Sequence, residues 1–123
     1  MCIRDRLEVL GALEAVLREA EARHLRALDL SRNGLAHAPP RLPRTLVRLG
    51  LAENRLKSTK YLEHLNKLEV LDVADNEIGT TRAFHHVVLA RTSLKTLVVR
   101  DLVRLEPAWR TKLRDLFPNA TIE

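Results

Sequence analysis

The chain has 123 residues, enough for one domain, with 46% hydrophobic residues but only 3% aromatic ones, so an aliphatic core carried by Leu is expected. A single cysteine, Cys2, excludes a disulfide framework and favours a reducing, cytoplasmic setting, and no apolar run is long enough to span a bilayer. The net charge of +5 permits contact with acidic partners of several kinds, yet no run of five like charges concentrates it.

In chain order, residues 1–24 carry Leu7, Leu10, Leu13 and Leu17 at helical spacing, with Glu14 and Arg18, and Glu19 and Arg23, paired four residues apart on the other side. An amphipathic helix is expected there, capping the first apolar layer of the domain. Residues 1–6 look like a translated sequencing adapter. From residue 25 one spacing recurs: Leu25, Leu28, Leu30, Asn33, Leu35, then Leu46, Leu49, Leu51, Asn54, Leu56, then Leu68, Leu71, Val73, Asn76, Ile78. The periods are 21 and 22 residues, and a partial fourth copy runs through Leu94, Leu97 and Val99. Alternation within each copy predicts short strands at 26–30, 47–51, 69–73 and 95–99, with inward aliphatics. A unit this short cannot bury enough apolar surface to fold alone, so the copies must stack and pair their strands in parallel. Where the chain leaves each strand, a short amide can satisfy enclosed backbone donors and acceptors. Asn33, Asn54 and Asn76 are therefore expected to form a buried ladder rather than ligand contacts.

The segments between strands differ. Pro39, Pro40 and Pro43 keep the first return non-helical, because proline lacks an N–H and fixes φ. The second, 57–67, carries Leu62 and Leu65, and the third, 81–91, can be capped by Thr80 or Thr81 to form a helix with Phe84, Val87 and Val88 on one side. After residue 94 the pattern decays, with Leu102 where an Asn would stand, and a last coil without a neighbour is expected. Pro107 can open a helix whose apolar face is Trp109, Leu113 and Leu116 or Phe117, and Pro118 stops it.

The repeated L-x-x-L-x-L-x-x-N-x-L resembles the leucine-rich repeat family. The proline-rich first return followed by Leu46 resembles the short bacterial-type repeat, whereas the 57–67 return with Leu62 and Leu65 resembles the short-helix return of the SDS22-like subfamily, which implies a short helix there. The Trp109-Arg110, Leu113, Leu116-Phe117-Pro118 series resembles that subfamily's C-terminal cap, though the Asn-Pro that usually precedes the cap is absent. The resemblance implies an α/β, right-handed curved solenoid with a short parallel sheet on its concave face. The expected organisation is a capping helix at 1–24, three repeats at 25–93, and a terminal repeat with a C-terminal cap at 94–123. It implies a non-catalytic scaffold or interaction module, a monomer or part of a larger chain, that binds a protein partner through the concave face.

Outward positions on that face form rows: Ala27, Arg48, Val70, Thr96; Asp29, Gly50, Asp72, Val98; and Ser31, Ala52, Ala74, Arg100. The candidate contact residues are Asp29, Arg48, Val70, Asp72, Val98 and Arg100. Gly50 is expected to leave a notch between Asp29 and Asp72 for a partner's Lys or Arg, above an apolar floor of Val70 and Val98. Two strand spacings put the two acids about 9.6 Å apart, at the upper edge of the roughly 6.5 to 9.5 Å used by inverting glycosidases, so distance alone does not exclude catalysis, but an open sheet offers no pocket to raise either pKa. No catalytic residue, cofactor or metal site is assigned. His85 and His86 are adjacent and point apart, and His24, His37 and His64 stand in no ligand spacing. The alternative to protein binding is an RNA-associated repeat protein using its basic surface, ranked lower because the basic residues are spread along the sequence and the few aromatics are better used in packing.

Overall fold

In the computed structural model, residues 2–4, 24–90 and 92–123 are described, with the side chains of 2–4, 88 and 89 left aside. Each repeat contributes one three-residue strand: β2 Ala27–Asp29, β3 Arg48–Gly50, β4 Val70–Asp72 and β5 Thr96–Val98. They lie inside the expected segments and pair in parallel in sequence order. The register aligns Leu28, Leu49, Leu71 and Leu97 across the sheet. All four are at most 2% exposed, and the first and third aliphatics of every repeat are at most 3% exposed. Stacking thus supplies the burial that one coil cannot, since each Leu removed from water contributes roughly 2 kcal/mol only when neighbouring layers cover it.

Two further strands extend the sheet. β1, Cys2–Arg4, pairs with β2, so the expected helix over 1–24 does not hold at its first residues; the remainder of that prediction lies outside the described residues. At the other end β6, Thr121–Ile122, pairs with β5. The last coil therefore has a neighbour, contrary to expectation: Thr121 N–H donates to Lys95 O at 2.8 Å, Val99 N–H to Glu123 O at 2.8 Å, and Glu123 N–H to Leu97 O at 2.9 Å. The two-residue strand follows Pro118 too closely for alternation to reveal it.

The returns are mostly turns. The proline segment is non-helical, as its missing donors require, and the second return also folds as successive turns rather than the short helix expected from Leu62 and Leu65. Those two leucines are buried all the same. Their inward placement was legible, but in 57–67 tight turns deliver it. The third return is a 3-10 helix at Thr81–Ala90, broken at Val87, where φ is −101° and ψ 18°. Long 3-10 runs are unfavourable, and the break divides this one into two short pieces. Phe84, fully buried, and Val87 face the core. Helix α1, Trp109–Leu116, buries Leu113, and Phe117 closes the core behind it, with Trp109 and Leu116 half-buried.

Candidate functional site

The turn that ends each strand is the most regular feature of the molecule. Arg32, Glu53, Asp75 and Asp101 stand at equivalent positions with φ of 62°, 55°, 52° and 59°. This left-handed residue turns the chain so that the next side chain points back under the strand. In the second and third repeats that side chain is a buried Asn. Asn54 Nδ2 donates to Leu30 O at 3.1 Å, Leu51 O at 2.9 Å and Ala52 O at 3.2 Å, while its Oδ1 accepts from the N–H groups of Asn33 and Leu35, both at 3.0 Å. Asn76 repeats the pattern, donating to Leu51 O and Val73 O at 2.9 Å and to Ala74 O at 3.1 Å, and accepting from Leu56 N–H at 2.9 Å. Asn33, half-buried, donates to Leu30 O at 2.8 Å and Ser31 O at 3.2 Å. At the fourth position Leu102 is buried, and the left-handed Asp101 shows the same turn without the amide.

The outward rows of the sheet are set by the same register. Asp29, Gly50 and Asp72 stand side by side on β2, β3 and β4, flanked by Ala27, Arg48 and Val70. Both acids are tied to the turns that follow them. Asp29 Oδ1 accepts from Ser31 N–H at 3.0 Å and Ser31 Oγ at 2.6 Å, and Asp72 Oδ1 accepts from Ala74 N–H at 3.0 Å. The expected notch at Gly50 is already filled: a Cβ there would lie 3.0 Å from Asp29 Oδ1 and 3.3 Å from its Cγ. Gly50 makes room for the Asp29 carboxylate, not for a partner's cation. The expected apolar floor is likewise reduced, because Val98 is only 7% exposed, hemmed by Asp72 in register on one side and the Glu123 backbone on the other. Val70 stays half-exposed, and Arg48 and Arg100 are exposed.

Two features escaped sequence reasoning. Glu106 accepts at Oε1 from Thr81 N–H at 2.9 Å and Thr81 Oγ1 at 2.6 Å, and at Oε2 from Lys112 Nζ at 2.9 Å. The Thr81 side-chain and backbone bonds, then Lys112, hold its carboxyl well below the usual range, at about 2. It clamps the segment before α1 to the start of the 3-10 helix across 25 residues, and no local pattern announces such a pair. The other is a cavity of about 240 Å³ between the last turn and α1, lined by Val99, Leu102, Val103, Leu105 and Trp109 with Arg100 and Arg110 at its margin. Among the described residues no cluster of three His, Cys, Asp or Glu side chains could hold a metal, and His86 instead meets Glu63 at 3.3 Å. Nor is any described helix long and apolar enough to cross a membrane.

A family model described as "Leucine Rich repeat" matches residues 21–36 and 64–81. The fold is that of a leucine-rich repeat solenoid. The chain is similar to a leucine-rich repeat protein of Leptospira interrogans, with 25% identity and a TM-score of 0.69 over 80% of this chain, which spans only a quarter of that protein's length. It is similar also to a chain of the Drosophila melanogaster SNF/U2A' complex, with 22% identity and a TM-score of 0.69, covering 98% of this solenoid and 70% of that chain. No curated protein sequence matches. Leucine-rich repeat proteins generally act as protein-interaction modules, and one of these two structural neighbours was solved within a protein complex.

Proposed function

We propose that this solenoid is a non-catalytic protein-interaction module that takes a protein partner on its concave sheet. The observation that carries the reading is that an outward patch drawn from neighbouring rows, Arg48 and Val70 with Asp72 and Arg100, is exposed or half-exposed on a sheet whose inner side is fully packed. A half-exposed aliphatic ringed by charges is the arrangement of a small interface centre with a polar rim. Asp29 and Val98 take a lesser part, the first holding its turn and the second covered. The SDS22-like assignment belongs to the same reading. It is supported by the cap of Trp109, Leu113 and Phe117 closing the core, and it is weakened by turns in place of a helix at 57–67.

The test is capture of binding proteins from lysate, followed by Val70→Asp with Arg48→Glu. Both residues lie off the turns, so the double variant should keep the melting temperature within a few degrees and lose the captured partner. Retention of the partner at unchanged affinity removes the concave face from consideration. The charge reversal Asp29→Lys with Asp72→Lys is a poorer test than the sequence suggests, since it strips both strand-end turns of their acceptors and lowers stability by about 1 to 2 kcal/mol on that account alone.

A further inference from the structure

The last coil departs from the others at one surface position. The residue after the ladder position is Gly34 in the first coil, Arg55 in the second, Glu77 in the third and Val103 in the fourth. Arg55 meets Glu77 at 3.6 Å across coils, whereas in the fourth coil the next residue, Arg104, takes that part and meets Glu77 at 3.5 Å. Val103 is thereby left 89% exposed, the one large hydrophobic so placed among the described residues. A lone exposed aliphatic is ordinary. This one stands at the lip of the cavity between the last turn and α1, whose walls are Val99, Leu102, Leu105 and Trp109.

At about 240 Å³ the cavity falls below the roughly 300 Å³ at which pockets for small-molecule ligands begin, and it suits a single aliphatic side chain. Its margin says whose. Arg100, Asp101, Arg110 and Glu123 line it, all exposed, and although they share one rim none of them makes an ion pair among the described residues. Arg110 lies instead over the Trp109 ring, 4.9 Å from its centroid. An acidic partner would leave Asp101 and Glu123 facing like charge, and a basic one would do the same to the two arginines. A second copy related by a two-fold axis satisfies all four, because an isologous contact brings the same patch from both sides. Each side then carries both a knob and a hole. We propose that the chain pairs with a second copy of itself through this end of the solenoid, Val103 of each copy entering the other's cavity while Arg100 and Arg110 meet Asp101 and Glu123 across the two-fold. This surface goes beyond the concave patch and shares only Arg100 with it.

Sedimentation velocity of the chain, loaded from about 1 µM to about 1 mM, tests the pairing with no other protein present, so its outcome is independent of the concave-face reading. The patch is small, and the wild type should dimerise weakly within that range. Val103→Asp should weaken dimerisation by about tenfold or more, as for the loss of an interface anchor, with the melting temperature unchanged. Two charge reversals complete the test: R100E/R110E, and D101R/E123R, the latter compatible with its left-handed turn because Arg32 stands at the equivalent position with φ of 62°. Each reversal makes the rim all of one sign and should abolish dimerisation by itself, whereas an equimolar mixture of the two should restore it. Both variants keep a positive net charge, so bulk attraction cannot be the cause. All five positions are exposed, and thermal melts establish that the variants fold. A wild type that stays monomeric to about 1 mM overturns the proposal, as does a dimer unaffected by Val103→Asp, or a mixture no more associated than its two components.

Discussion

Asn54 shows how much one side chain can settle in a repeat. Its amide serves two coils at once, donating into its own turn and to Leu30 of the preceding one while accepting from Asn33 and Leu35. Asn54→Ala leaves these enclosed backbone groups without partners and should cost about 1 to 3 kcal/mol, whereas Arg55→Ala, which loses only an exposed ion pair, should cost well under about 1 kcal/mol. Urea denaturation of the two variants checks the difference, and equal midpoints would contradict the ladder. Glu106 carries a pH signature. Its carboxyl titrates at about 2 when folded and near 4.5 otherwise, so its contribution to stability is complete above about pH 4.5 and is lost as the pH falls toward 2. Glu106→Gln should therefore lower the melting temperature at pH 7 and lose that disadvantage progressively below about pH 4.5. A constant gap between wild type and variant down to about pH 2.5 would show that the clamp acts through shape, not charge. The ladder asparagines were legible because an isolated amide in an aliphatic repeat has few uses. Glu106 was not, because its partner lies 25 residues away.

Among the elements, β6 contributes most for its length. Without it the edge of β5 would expose unpaired backbone groups, a template for association with another chain. Thr121→Pro removes the N–H that bonds to Lys95 O and should cost about 1 to 3 kcal/mol, while Thr121→Val keeps the bond and should be nearly neutral. Thermal melts and light scattering of the two variants test this: the proline form should melt earlier and associate more readily on heating. The opposite end shows the limits of reading elements from pattern. The leucine spacing within 1–24 predicts a helix, yet Cys2–Arg4 lies as a strand beside β2, because an open sheet edge can recruit backbone pairing from almost any sequence. At 57–67 the inward leucines were placed rightly and the helix wrongly, since burial period constrains side chains more tightly than backbone.

At the scale of the molecule, stability is shared among neighbouring coils. Leu71 sits in the middle of the register, between Leu49 and Leu97, and is fully buried. Leu71→Ala should cost about 2 to 5 kcal/mol, and because each coil is stable only through its neighbours, hydrogen exchange should accelerate in β3 and β5 as well as in β4. Protection lost in β4 alone would argue for independent coils. The sequence by itself determined the solenoid, the strand positions, the aliphatic layers and the inward asparagines, because a 21- to 22-residue period of buried side chains admits one way of stacking. Only the tertiary structure decided how the surface is used. It put Asp29 into the space above Gly50, set the Glu123 backbone beside Val98, and paired Arg55 and Arg104 with Glu77 across coils. These outcomes depend on which side chains meet across coils, and a spacing rule that fixes one coil says nothing of its neighbour's outward residues.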